Sequence, residues 1–269
     1  MTDAATATPA AERAVRVEMD GGVAVVTIDR PSALNALSAQ VLGDLARAFA
    51  ELSAEGSRVR GVLLVGAGGR AFVAGADLRA ISSLGPAEAA ALARLGHDAA
   101  AAIEALPAPV IACVDGFALG GGLELALACD LIYATDASQF GQPEVHLGLI
   151  PGFGGTVRLP RAVGAARAKE LIYTGRRIRI DEAVDAGLVL RRFPDRDALL
   201  DGARATIAEI AANSASAVGI AKRVLVGAAG RPTDAASDFE ISGFEDAFRT
   251  DDMREGVAAF LEKREPRFG

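Results

Sequence analysis

A glutamate in an apolar, glycine-rich segment is the first candidate for acid–base chemistry in this sequence. Glu124 follows three consecutive glycines, Gly120 to Gly122, which come after a predicted buried strand. Glycines at a helix start let a ligand approach the backbone closely and leave amide N–H groups free. Burial disfavours an ionised carboxylate, so Glu124 is costly here unless it is paired or functional. Taken alone, the segment is equally consistent with close helix packing and a local ion pair.

A second glutamate, Glu144, lies in a loop between a strand and a helix, where catalytic groups are often found. Residues 151–155 after it contain the amides of a predicted helix start at about Thr156. Taken alone, this pattern also suits a Pro/Gly turn with a solvent-facing acid. Of the two histidines, His146 is predicted to form local hydrogen bonds and His97 to lie on a long helix outside the chemistry.

A third candidate is the glycine-rich loop over residues 68–79, which follows a buried strand as ligand-binding loops commonly do. It matches neither the dinucleotide-binding fingerprint nor the P-loop, so it could also be an ordinary connection. Considered together, Ala74–Leu78 and Gly120–Gly122 can each supply one backbone N–H to a shared oxyanion pocket. Glu124 and Glu144 would then stand beside a polarised carbonyl, an arrangement that fits acid–base chemistry.

Composition excludes several other classes of function. The 269 residues carry 28 basic and 35 acidic side chains, a net charge of −7, which disfavours nucleic-acid binding. Two cysteines, Cys113 and Cys129, cannot form a disulfide framework, and two histidines leave little for a zinc site. The most apolar segment, 117–134, contains two acids, which disfavours a membrane span. We therefore expect a cytoplasmic protein without metal, nucleic acid or membrane contact.

The hydrophobic pattern predicts an α/β core followed by helices. We expect a tail without order over residues 1–14, an α/β core over 15–195 and a helical C-terminal region over 196–269. Strands are predicted over 15–19, 23–29, 59–65, 109–114 and 131–134, with a further short one at 139–140. Helices are predicted from Ser38 to Gly56, over 86–106, 120–129, 163–173, 181–186 (capped by Asp181), 196–212, 216–228, 233–249 and 251–263.

Four segments in this order resemble the crotonase, or enoyl-CoA hydratase/isomerase, superfamily. They read RPSALNA at 30–36, AFVAGADL at 71–78, GFALGGGLELALACD at 116–130 and FGQPEVHLGLIPGFGGT at 140–156. The likeness continues to AFLEKR at 259–264 and covers nearly the whole chain past residue 14. It implies a spiral of ββα units with a C-terminal helical region that mediates assembly into homotrimers or hexamers.

The resemblance also implies a substrate, an acyl-CoA thioester, with coenzyme A as part of the substrate and no separate cofactor. The amides of Ala76 and Gly121 would form the oxyanion hole. Because both glutamate positions of the hydratases are occupied, the implied reaction is reversible syn addition of water to a trans-2-enoyl-CoA. Glu124 would deprotonate the water that attacks C3, and Glu144 would protonate C2.

Contacts to the substrate carry over from the same resemblance, at positions spread along the chain. Ser32 stands where a common member has lysine, so one phosphate contact is in doubt, whereas Arg79 falls where a basic residue meets the phosphates. Phe260 and Lys263 match positions that reach the adenine region of a neighbouring subunit. The full set of implied contacts is Ser32, Ala33, Leu34, Ala74, Ala76, Asp77, Leu78, Arg79, Gly121, Gly152, Phe260 and Lys263.

Other activities remain open at this point. The alternatives are a Δ3-Δ2 enoyl-CoA isomerase, or another lyase or hydrolase on the same scaffold. In an isomerase, Glu144 alone could move the proton. The presence of Glu124 favours hydration over these. A scaffold without catalysis is a further alternative, against which the complete glutamate pair weighs.

Overall fold

The computed structural model describes residues 14–269. The tail predicted over residues 1–14 lies outside the described residues except for Ala14. This residue is buried, and its carbonyl accepts a hydrogen bond from the Asp29 N–H at 2.8 Å. Ala14 therefore belongs to the folded core.

The chain forms ten strands and eleven helices within the described range. The strands are β1 Val15–Asp20, β2 Val23–Ile28, β3 Gly61–Gly66, β4 Ala71–Val73, β5 Val110–Val114, β6 Phe117–Leu119, β7 Leu131–Thr135, β8 Gln139–Gly141, β9 Arg177–Arg179 and β10 Arg191–Phe193. The helices are α1 Ala39–Ala54, α2 Leu78–Ile81, α3 Pro86–Ala105, α4 Gly121–Ala128, α5 Gly155–Val163, α6 Ala165–Thr174, α7 Ile180–Asp185, α8 Arg196–Ala211, α9 Ala215–Ala228, α10 Thr233–Phe248 and α11 Asp251–Glu262.

The strands make two sheets. The first has the order β1-β2-β3-β5-β7-β10 and is parallel except for the β1–β2 hairpin. The second has the order β4-β6-β8-β9 and is parallel except for the β8–β9 pair. The central strands β3 and β5 are buried throughout, as their continuous apolar sequences require of parallel strands covered on both faces.

The chain alternates between the two sheets before each helix. It runs β3, β4 and then α2 and α3; β5, β6 and then α4; β7, β8 and then α5 and α6. This is the predicted spiral of ββα units, and it is confirmed. Each turn of the spiral delivers the end of a second-sheet strand, and the residues that follow it, to the same region.

A glycine makes one of these sheet-to-sheet turns. Gly116 joins β5 to β6 with φ of +82°, and a Cβ there would overlap the backbone of Arg70. Only glycine combines this left-handed conformation with such close backbone contact. The turn directs β6 and Gly120–Gly122 toward residues 74–77, which we call the β4 loop.

Helix α8 covers the second face of the first sheet. Its residues Leu199, Ala203 and Ile207 are buried against Leu63 and Tyr133 of β3 and β7. The predicted boundary at residue 195 therefore separates α8 from the sheet against which it packs. Helices α9, α10 and α11 make up the remainder of the C-terminal region.

Local details differ from the sequence prediction where elements are short. Strands β4, β6 and β9 have three residues each, and β4 lies inside the segment predicted as a glycine-rich loop. Helix α7 begins at Ile180 with Arg179 as its N-cap, so Asp181 is not the cap. Asp181 instead lies in the first turn, where a negative charge favours the helix dipole, and pairs with Arg192 at 2.5 Å.

Candidate active site

A cavity of about 320 Å³ opens where the β4 loop, the start of α4 and the turn after β8 meet. Apolar side chains of α2 and α3 form one side of it. Of the residues predicted to contact the substrate or act in catalysis, those lining the cavity are Ala74, Ala76, Leu78, Gly121, Glu124, Glu144 and Gly152.

The two predicted oxyanion donors lie on loops that touch. Leu37 pairs with the β4 loop through its N–H to Gly75 O at 2.9 Å and through its carbonyl to the Asp77 N–H at 2.8 Å. This pairing leaves the Ala76 N–H unused. Within residues 14–269, neither the Ala76 N–H nor the Gly121 N–H donates to another group. Two unused amides beside a cavity can hold an oxyanion.

Glu124 is the deeper of the two carboxylates, with 2% of its surface exposed. Its Oε1 atom accepts the N–H groups of Phe153 at 2.8 Å and Gly155 at 2.7 Å, which belong to the start of α5. Burial raises the pKa of Glu124, while these hydrogen bonds and the charge of Arg158 lower it in part. Because Oε1 takes both amides, Oε2 is the atom left for a ligand.

Glu144 sits on the 3-10 turn Pro143–Leu147 and is half-buried. Desolvation raises its pKa to about 7, and the negative charge of Glu124 adds to the rise. A carboxyl group whose pKa lies near neutral pH suits acid–base catalysis.

Gln142 is a further residue of the candidate site, which the sequence did not predict. Its side chain is fully buried, and with the amide oriented to suit its partners Nε2 donates to Glu144 Oε1 at 2.8 Å and Oε2 at 3.0 Å. These bonds hold the carboxyl group and favour its ionised form, in opposition to burial. The signal in the sequence was a polar residue two positions before Glu144, directly after the short strand β8.

Residues 32–34, which were predicted to contact coenzyme A, lie next to the cavity and do not line it. Ser32 and Ala33 belong to a 3-10 turn, and the Leu34 carbonyl accepts the Ala74 N–H at 3.1 Å. Asn35 organises this region: its buried amide Nδ2 donates to the carbonyls of Ala67 at 2.9 Å and Ala71 at 2.8 Å. The sequence reasoning assigned Asn35 no role.

Asp77 caps the short helix α2 by accepting the Arg79 N–H at 3.2 Å. It also pairs with Arg30 at 3.2 Å. Burial alone would raise the pKa of Asp77, but the hydrogen bonds from Arg30 and backbone amides outweigh it and the pKa is lowered. Arg79 is exposed at the rim, so its guanidinium is accessible to a ligand phosphate.

Phe260 and Lys263 are not brought to the cavity. Phe260 lies on α11 and is 82% exposed, and Lys263 ends that helix in a left-handed conformation with φ of +55°. Neither residue lines the cavity of its own chain. Their predicted role toward a neighbouring subunit stays a prediction.

Two kinds of feature are absent from the described part of the chain. Between residues 14 and 269, no helix is both long and apolar enough to span a membrane. Over the same range, no group of three or more His, Cys, Asp and Glu side chains is placed to hold a metal ion.

Known proteins are similar to this chain in both architecture and sequence. The crystal structure of an enoyl-CoA hydratase from Bacillus anthracis has a TM-score of 0.88 to this one at 37% identity, and covers 95% of this chain and 98% of its own. The two-sheet spiral is therefore the crotonase fold. A short-chain-enoyl-CoA hydratase of Clostridium acetobutylicum is 42% identical over 250 residues, or 93% of this chain and 95% of the relative.

A crotonyl-CoA hydratase of Syntrophomonas wolfei is 40% identical over 252 residues, which cover 94% of this chain and 96% of the relative. The family model described as enoyl-CoA hydratase/isomerase matches residues 18–269. The chain belongs to the enoyl-CoA hydratase/isomerase family.

Proposed function

We propose that this protein catalyses the reversible syn hydration of a trans-2-enoyl-CoA to a 3-hydroxyacyl-CoA. The observation that carries the proposal is the convergence of two glutamates with perturbed pKa values on one cavity that also contains two unused amides. The names of the relatives, which include short-chain-enoyl-CoA and crotonyl-CoA hydratases, support the same reaction.

The thioester carbonyl would accept the N–H groups of Ala76 and Gly121. Negative charge develops on this oxygen when a nucleophile adds to C3, and the amides stabilise it without having to reorganise. One such donor contributes about 3–4 kcal/mol to lowering the barrier. Because neither amide has an internal partner among the described residues, binding the oxyanion breaks no hydrogen bond of the fold.

The water would lie between the two carboxyl groups. Glu124, held through Oε1, would use Oε2 to take a proton from the water as its oxygen bonds to C3. Glu144 would donate its proton to C2 of the resulting enolate, and the proton that Glu124 took from the water would then return to Glu144, so that the net change is addition of one water across the double bond. Water release in the reverse direction exchanges the two roles. Both carboxyl groups act on the same face, which gives syn stereochemistry.

The alternative is isomerisation of a Δ3 to a Δ2 enoyl-CoA, for which one carboxyl group that removes and returns a proton is sufficient. Glu144 could do this without Glu124. The burial of Glu124 and its two amide hydrogen bonds favour hydration. Burying a carboxylate costs free energy, and hydration uses this group whereas isomerisation does not.

The variant Glu124→Gln separates the two reactions. We expect its crotonyl-CoA hydration, followed as loss of enoyl-thioester absorbance, to fall by about 100- to 10,000-fold as expected for loss of a general base. Isomerase activity on a 3-enoyl-CoA should survive. Hydration at the wild-type rate in Glu124→Gln would refute the assignment. Complete inactivity of the wild type on a panel of 2-enoyl-CoA substrates would refute the reaction itself.

Coenzyme A is proposed to bind as part of the substrate, with its phosphates near Arg79 and its pantetheine chain alongside the hydrogen-bonded segments of Leu34 and Ala74. Arg79→Gln is expected to raise KM and leave kcat near the wild-type value, because the phosphates take no part in bond making. The matched control is Arg79→Lys, because lysine keeps the positive charge at this exposed position.

Assembly into trimers, or hexamers built from two trimers, is proposed from the C-terminal helices. They expose several large apolar side chains, which are Leu225, Ile241, Phe244, Phe248, Phe260 and Leu261. An apolar surface of this kind favours burial in an interface. Sedimentation of the intact chain tests the proposal, and a monomer at micromolar concentration would contradict it. The cytoplasmic compartment stays a prediction.

A further inference from the structure

A forked ion pair lies directly behind the turn that holds Glu124. Arg158 of α5 donates Nε to Glu104 Oε1 at 2.7 Å and Nη2 to Glu104 Oε2 at 2.9 Å. Both side chains are largely buried, with 14% and 28% of their surface exposed. Two parallel charge-assisted hydrogen bonds fix the guanidinium in both position and orientation.

The third donor of this guanidinium reaches the turn itself. Arg158 Nη1 donates to the Phe153 carbonyl at 3.3 Å, while the N–H of Phe153 donates to Glu124 Oε1 at 2.8 Å. The backbone of Phe153 is thus held by the ion pair on one side and holds the carboxylate on the other. A continuous series of hydrogen bonds runs from Glu104 through Arg158 and Phe153 to Glu124.

A glycine makes this approach possible. Gly154 has φ of +112°, and a Cβ at this position would overlap Arg158 Nη1. A side chain at residue 154 would therefore push the guanidinium out of reach of the turn. The same left-handed residue lets the N–H groups of Phe153 and Gly155 converge on one oxygen.

We propose that Arg158, oriented by Glu104, is a positioning residue of the active site that fixes the 153–155 turn and thereby the carboxylate of Glu124. This inference rests on the proposed hydratase function, in which Glu124 is the base. It assigns a task to a buried ion pair whose members do not line the substrate cavity.

Arg158 affects Glu124 through its charge as well as through its position. Its positive charge lowers the pKa of Glu124, in opposition to burial. Glu144 lines the same cavity as Glu124, and the negative charge of Glu124 raises the pKa of Glu144. Glu104 pairs with Arg158, and the ring of His97 from α3 lies close to Gly154.

The test compares crotonyl-CoA hydration by the wild type and three variants, Arg158→Gln, Arg158→Lys and Glu104→Gln, over a range of pH. For Arg158→Gln we expect kcat to fall by about 10- to 100-fold, because a misplaced base loses alignment with the water. KM should change little. The acidic limb of the pH–rate profile should move up by about one pH unit, since an opposite charge near a carboxylate lowers its pKa by that amount or more.

The other two variants separate geometry from charge. Arg158→Lys keeps the charge but cannot fork, so kcat should fall while the acidic limb stays near its wild-type position. Glu104→Gln leaves the guanidinium charged but less well oriented, so kcat should fall without an upward shift of the limb. The matched control is Arg60→Gln, which removes an arginine that holds the Ala211 and Asn213 carbonyls elsewhere in the fold. It should lower the melting temperature and leave kcat unchanged.

A purely structural ion pair would give a different result. If Arg158→Gln melts at a lower temperature but keeps the wild-type kcat and acidic limb, the inference is overturned. If Arg158→Gln does not fold, Arg158→Lys decides, and an unchanged kcat in that variant overturns it equally. Inactivity of the wild type would refute the proposed hydratase function instead, so the two failures are distinguishable.

Discussion

The hydrogen bonds between Gln142 and Glu144 lead to a sharp prediction about pH dependence. Gln142 is fully buried, and its amide donates to both oxygens of the carboxyl group. Gln142→Leu removes the amide and leaves a side chain of similar size. The substitution therefore tests the hydrogen bonds rather than the packing.

The magnitude follows from the number and kind of these bonds. A hydrogen bond to a charged group contributes about 1.5–3 kcal/mol, and about 1.4 kcal/mol of differential stabilisation corresponds to one pKa unit. Losing the donor should therefore raise the pKa of Glu144 by about one to two units relative to the wild type. If Glu144 donates its proton to C2, a higher pKa keeps the acid form at higher pH. The basic limb of the kcat/KM profile should move to alkaline pH by the same amount.

The assay is the loss of enoyl-thioester absorbance of crotonyl-CoA, recorded from neutral into alkaline pH. Gln139→Leu is the matched control, because Gln139 is a half-buried glutamine three positions before Gln142 that does not line the cavity. Its basic limb should coincide with that of the wild type. A basic limb of Gln142→Leu that also coincides with the wild type would refute the proposed role of Glu144 as the acid.

Three further predictions concern the oxyanion site, the part of the cavity lined by Phe153, and stability. Ala76→Pro removes an N–H that no described residue uses, so kcat should fall about 100- to 1000-fold with a normal melting curve, and a smaller loss would exclude this donor. Phe153→Ala vacates the space where the ring packs on Gly96 and Gly121, so the rate on long-chain relative to crotonyl substrates should rise; an unchanged ratio would contradict this. Folding raises the pKa of Glu144 from 4.5 to about 7, so ionising this group destabilises the folded state. The destabilisation is absent below pH 4.5 and fully present above pH 7. By urea denaturation, Glu144→Gln should be about 1–2 kcal/mol more stable than the wild type above pH 7, after allowance for solvent screening, and no more stable in acid.

Much of the site was predictable from the sequence because its residues lie next to each other along the chain. Gly121 and Glu124 share the first turn of one helix, so their common face follows from helical periodicity. The long apolar strands and the long amphipathic helices were likewise predicted within a few residues, because their periodic patterns extend over enough positions.

Short elements escaped prediction for the same physical reason. Strands β4, β6 and β9 have only three residues each, too few for a period of two to be distinguished from a loop. These strands form most of the second sheet, which places the loops of the site. Their pairing is decided by neighbouring strands and leaves no mark in the local sequence.

The sequence by itself determined which residues carry the chemistry: two glutamates, each beside a glycine-rich backbone segment, in a chain of net negative charge. Only the tertiary structure decided what state they are in. The amides that hold Glu124 come from residues 29 and 31 positions later, and the ion pair behind them joins residues 54 positions apart. Desolvation and hydrogen bonding depend on such distant partners, so the pKa values and orientation of the carboxyl groups arise only when the spiral closes around them.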